Sequence, residues 1–113
     1  MTDVEIVRLD LAKHGAQDSW DWQADLRFAE AVGDEEAVKD CKDLLKSHAP
    51  FPTLIMFHRL ALGRIQQRRV RALRLLVRAK EVRAWWLGTG PYGRTEFGVN
   101  RVRHYETQET AGV

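Results

Sequence analysis

GRIQQRRVRALRLLVRAKEVRAWWLGTGPYGRTEFGVN, residues 63–100, is the stretch on which the reading of this chain turns. At about 100° per residue, Ile65, Val70, Ala72, Leu73, Leu76, Val77 and Ala79 fall on one broad arc of a helix running from Arg64 to Lys80. Arg64, Gln67, Arg68, Arg71, Arg74 and Arg78 fall on the other. Leu75 lies among the arginines, while Gln66, Arg69 and Lys80 lie toward the apolar side, near its edges or the helix ends. Glu81 to Leu87 then alternates as a strand, with Val82, Ala84 and Trp86 on one face and Arg83 and Trp85 on the other. Gly88-Thr89-Gly90-Pro91-Tyr92-Gly93 is a turn cluster, and Thr95 to Val99 returns as a second strand. Arg101-Val102-Arg103-His104-Tyr105 carries the basic character further, as a strand continuation or an arm.

Upstream, the pattern predicts helices. Thr2 and Glu5 fit a capping box, and Lys13, His14 and Gly15 fit a helix end. Val4, Val7 and Leu11 then share a face, although the β-branched content of this segment would also suit a strand. After a turn at Gly15–Ser19, Asp18 or Ser19 caps a helix to about Val32. Asp34 caps a third, amphipathic through Ala37, Val38, Cys41, Leu44, Leu45 and His48. Cys41 lies in that stripe, where packing is its role. Pro50 and Pro52 end the helix. Thr53 starts a short, nearly all-apolar helix to Leu62, and Gly63 permits a sharp turn before the basic helix.

Charge is segregated along the chain. Residues 1–58 carry six Lys/Arg and twelve Asp/Glu; residues 59–103 carry twelve Lys/Arg against Glu81 and Glu96 alone. A basic half of this kind suits a polyanionic partner. Arginine meets phosphate with bidentate geometry and pairs with guanine edges in a major groove, and a glutamine amide can read adenine. Gln66, Gln67, Arg68 and Arg71, near the helix start, are therefore the candidate base readers, with Arg74 and Arg78 on phosphates and Arg64 a further nucleic-acid-binding candidate.

The phrase Arg71-Ala72-Leu73-Arg74-Leu75-Leu76 followed by Lys80-Glu81-Val82, and the order of two short helices, a basic helix and a hairpin, resemble the winged helix-turn-helix superfamily over about Asp34–Asn100. The resemblance implies a mostly helical α+β fold with a three-helix core at 34–48, 53–62 and 64–80. The last of these would be the recognition helix. The wing would have Tyr92 and Arg94 at its tip, lying along the backbone or entering a minor groove, with Arg94 and Arg83 as phosphate or minor-groove contacts and Arg101 as a further nucleic-acid-binding residue. Residues 1–33 would be an N-terminal extension that either buttresses the core or forms a dimer interface, and 107–113 a flexible tail. One departure stands: Arg64 follows Gly63 where an apolar residue is usual, which leaves the groove-facing register open by one residue.

Other chemistries find no support. His14, His48, His58 and His104 lack metal-ligand spacing, and no serine stands in a nucleophile context. The glycine cluster has neither phosphate-loop pattern. The expectation is a cytoplasmic, non-enzymatic regulator of transcription or replication. It would bind double-stranded DNA, as a monomer or homodimer, without a cofactor, a metal, a membrane span or an evident small-molecule site. The rivals are a winged-helix protein-interaction adaptor and an RNA binder.

Overall fold

In the computed structural model, which describes residues 1–47, 60–86, 94–95, 98–99 and 103–108, Thr2 accepts a hydrogen bond from the Glu5 N–H at 3.1 Å and starts helix α1, Asp3–His14. Gly15, at φ 85°, ends it. The helical alternative is thus the one adopted, and it buries Val7 and Leu11. The cap of the next helix is neither Asp18 nor Ser19. Gln17–Asp18 form a short strand, β1, and Asp21 caps helix α2, Trp22–Val32, by accepting from Ala24 N–H at 3.0 Å. A cap needs only a short oxygen-bearing side chain, and Asp18, Ser19 and Asp21 all have one. Gly33, left-handed at φ 77°, closes α2, and Asp34 caps helix α3, Glu35–Ser47, through the Ala37 N–H.

Gly63 does not turn the chain. Helix α4 is continuous from Leu60 to Arg78, so Leu60–Leu62 form its first turn rather than the end of a separate helix. A single glycine inside a helix costs only about 1 kcal/mol relative to alanine. Burial of Ala61, Leu62, Ile65, Ala72, Leu73 and Leu76 at helical spacing across it outweighs that cost. Residues 53–59 of the expected short helix lie outside the described residues. The C-terminus of α4 is built without a glycine: Lys80 adopts φ 62°, with Lys80 N–H donating to Val77 O and Glu81 N–H to Leu76 O.

Strand β2, Val82–Trp86, is not paired with Thr95, Gly98 or Val99, the described residues of the return strand that the hairpin reading expected. Arg94–Thr95 (β3) and Gly98–Val99 (β4) form their own two-stranded ladder. The partner of β2 is β5, Arg103–Thr107, with Ala84 opposite Tyr105 and Trp86 opposite Arg103. β1 joins the other edge of β5, giving a three-stranded antiparallel sheet ordered β1-β5-β2. This register sets the Tyr105 ring beside small Ala84 and over the core, where it is 1% exposed.

The result is a small, mostly helical α+β domain. Its main core joins Val7 and Leu11 of α1, Phe28 and Ala29 of α2, Ala37 of α3, the apolar arc of α4, Val82 and Tyr105. A second cluster, Cys41, Leu44 and Leu62, packs against Trp22 and Leu26. Burial pushes the Cys41 thiol up to about 12, so it stays protonated and unreactive at neutral pH. Among the described residues no helix is long and apolar enough to cross a membrane.

Candidate functional site

The nineteen residues of α4 span about 28 Å at 1.5 Å per residue. Its arginines divide along that length. In the first half every guanidinium is engaged by the protein. Arg64 donates to Asp34 at 2.8 Å and lies 3.8 Å from Glu36. That hydrogen bond holds the Asp34 carboxyl below the usual carboxylate range. Arg68 makes a two-pronged contact with Asp3, at 2.9 and 3.1 Å, with its guanidinium 5.6 Å from the centroid of the Phe28 ring. Gln66 donates its amide to Ser19 O at 2.6 Å. Two expected base readers, Gln66 and Arg68, are therefore already committed to protein partners.

Arg69 is the extreme case. It is 1% exposed and uses all three nitrogens inward. Nε donates to Asp25 at 2.5 Å, one terminal nitrogen to Gln17 Oε1 at 2.6 Å, and the other to Asp18 O and Ser19 O at 3.0 and 3.1 Å. This clamp fastens β1 and the turn after it to α4. Burial pushes the Asp25 carboxyl up, to about 6, with the Arg69 charge opposing the rise. Periodicity places Arg69 on the apolar side, but it carries no sign of a buried acid waiting on α2.

The second half differs. Arg71, Arg74 and Arg78 continue a stripe that starts at Gln67 in the first half, at i, i+4, i+7 and i+11, and all four are exposed. Arg71, Arg74 and Arg78 have no ion-pair partner among the described residues. Beside Arg71 and Arg74 a groove of about 500 Å³ opens between α4 and the sheet. Gln66, Gln67 and Val70 complete its helical wall; Ser19 and Trp20, after β1, form one end; Trp86, Arg103 and Tyr105 form the sheet side. Among the described residues no carboxylate lines it. Ser19 is fixed there by donating its N–H to Arg103 O at 2.9 Å, while its hydroxyl accepts from Arg103 N–H at 3.1 Å.

Arg103 lies 5.5 Å from the Trp86 ring and 5.9 Å from the Tyr105 ring. Its Nε is buried without a hydrogen-bond partner among the described residues. Trp86 is 56% exposed at this groove. On the other face of the sheet, Trp85 stacks obliquely on His104, ring centroids 4.5 Å apart. Trp86 thus faces the helix side as groove wall, and neither tryptophan is core. Arg83 is not a free backbone contact either. It is paired with Glu106, whose carboxyl that hydrogen bond holds below its ordinary range.

Tyr92 and Arg101 lie outside the described residues, and Arg94 is described only as part of β3. Arg103 and Trp20 are site residues that the sequence reading misses. The alternation in Arg101-Val102-Arg103-His104-Tyr105 could have found Arg103, since it places Arg103 and Tyr105 on one strand face. Nothing in the spacing of Trp20 could have brought it to α4. Among the described residues no group of three or more His, Cys, Asp or Glu is placed to hold a metal ion. Comparison with protein-family models, curated proteins and solved structures finds no match for this chain.

Proposed function

We propose that this chain binds double-stranded DNA through the second half of α4, as a small regulator of transcription or replication. One observation carries the reading: the stripe Gln67, Arg71, Arg74 and Arg78 is exposed, continuous along a rigid helix, and free of acidic partners among the described residues. A helix of this width enters a major groove, where guanidinium and amide groups meet base edges and phosphates. Arg103, on the neighbouring strand, adds a cation beside the stripe. In this reading the fold is a winged-helix variant. α4 is the recognition helix, and β2 and β5 form the base of the wing. A three-stranded antiparallel sheet, two of whose strands, β2 and β5, follow the basic helix, is compatible with it.

A salt series of duplex-binding measurements tests this. With Arg71, Arg74, Arg78 and Arg103 on phosphates, log K falls with log salt at a slope of roughly −3 to −4, from about 0.9 per contact. Absence of duplex binding at ~50 mM salt would overturn the reading and favour a protein partner, for which Leu75 and Trp85 are among the exposed apolar side chains.

A further inference from the structure

The groove beside the stripe has a composition that the duplex reading does not require. A surface for phosphates alone needs cations; this one also presents an indole. Arg71 and Arg74, three residues apart on α4, have side-chain bases about 5–6 Å from each other, close enough to share one phosphate group. Trp86 offers a half-exposed aromatic face across from them, and Arg103 lies against that ring with a donor that no described residue satisfies. The volume, about 500 Å³, is in the range of small-ligand sites. A second cavity, about 420 Å³ between α1 and α2, is a useful contrast. There Asp10 and Glu30 stand among the cations, and Arg27 is already bound to Asp10, so it has no preference for an anion.

We propose that the α4–sheet groove holds a single unstacked nucleotide, its phosphate on Arg71 and Arg74 and its base against Trp86. A planar, weakly polar base joined to an anionic phosphate is the ligand that uses both features, and an aromatic side chain accepts any base because every base has a π-face. The nucleotide comes either from a strand end or unpaired position of a bound duplex, or from a free mononucleotide. Only the first source rests on the duplex reading. The shared arginines make the groove continuous with the stripe, so a strand on α4 can deliver an unpaired nucleotide into it.

The test uses the full chain with three probes: a blunt duplex, the same duplex carrying a short single-stranded overhang, and deoxyadenosine monophosphate. The overhang is expected to bind about tenfold more tightly than the blunt duplex, the gain stacking gives per base. The mononucleotide is expected to quench tryptophan fluorescence. Trp86→Ala removes the overhang preference and the quenching, while Trp86→Phe keeps most of the preference because a ring remains. A preference for the overhang identifies the strand as source. Quenching by the mononucleotide without any duplex binding identifies the free ligand, and sinks the duplex reading while sustaining the groove. Equal binding of blunt and overhanging duplex with no quenching overturns the groove proposal and leaves the duplex reading intact. An overhang preference that persists in Trp86→Ala also overturns it.

Discussion

The two halves of α4 carry the same kind of sequence and do different work. Arg64, Arg68 and Arg69 are each answered by a carboxylate from the first 34 residues: Asp34, Asp3 and Asp25. Arg71, Arg74 and Arg78, on the same helix, meet none among the described residues. The acidic N-terminal part is therefore not simply a face turned away from a polyanion. Part of it neutralises the near end of the basic helix and welds it to α1, α2 and the start of α3. An arginine count overstates the positive surface wherever the partners come from distant sequence.

The sharpest way to break this comparison is at Arg69, whose pair with Asp25 is 1% and 0% exposed. Arg69→Met should destabilise the protein by about 3–5 kcal/mol, because it leaves a buried carboxylate without its partner. That is a large fraction of the total expected for a domain of this size, about 5–15 kcal/mol. The double variant Asp25→Leu/Arg69→Met should recover most of the loss in urea unfolding, since apolar residues can replace a buried pair. Failure of the double variant to recover would mean that the contacts of Arg69 with Gln17 and the β1 carbonyls matter more than the charge. The pH profile adds a sign. With Asp25 near 6 in the fold and about 3.9 unfolded, the folded state binds the extra proton between these values. Its contribution to stability therefore falls as pH rises from about 4 to about 6 and is constant above, and the double variant should flatten that part of the curve.

Binding separates the halves more directly. Arg71→Ala/Arg74→Ala should weaken duplex binding by about 1–3 kcal/mol for each side chain that reads a base. It should also make the salt slope shallower by about 0.9 for each phosphate that is no longer neutralised. Arg64→Ala and Arg68→Ala, whose charges are already neutralised, should leave affinity within a factor of about three. Equal effects in both pairs would show that duplex DNA displaces Asp34 and Asp3 and recruits the whole helix.

What the sequence made legible was whatever depends on local spacing. α3 and the two faces of α4 follow from caps and periodicity, and the alternation of Val82, Arg83, Ala84, Trp85 and Trp86 follows from the strand pleat; for α1 the caps favour a helix while the β-branched content also suits a strand. Pairings across the chain were not legible. Spacing cannot say that β2 takes Arg103–Thr107, because the 95–99 segment alternates as well and the pairing is made far along the chain. Nor can it say which arginines are satisfied. Asp3 and Arg68 are 65 residues apart, and Asp25 and Arg69 are 44 apart. The site residues that survive as free cations are those for which no such distant partner exists among the described residues.

Gly63 gives the smallest effect and bears on the frame of the comparison. A helix-turn-helix junction at Gly63 would start the basic helix there and leave the orientation of Leu60–Leu62 independent of it. The structure instead runs one helix through Gly63, with no atom outside its local helix within 4 Å of where a β-carbon would stand. The φ there is not in the left-handed region, unlike Gly15 and Gly33. Gly63→Ala should therefore stabilise the protein by about 0.5–1 kcal/mol, from the lower backbone entropy of the unfolded chain and the better helix propensity. Thermal or urea unfolding at pH 7 reads this directly. A loss of stability would mean that the chain needs glycine's freedom at position 63 after all. It would restore a break between Leu62 and Arg64, and Arg64 would no longer be aligned with Asp34 by the same helix that presents Arg71 and Arg74.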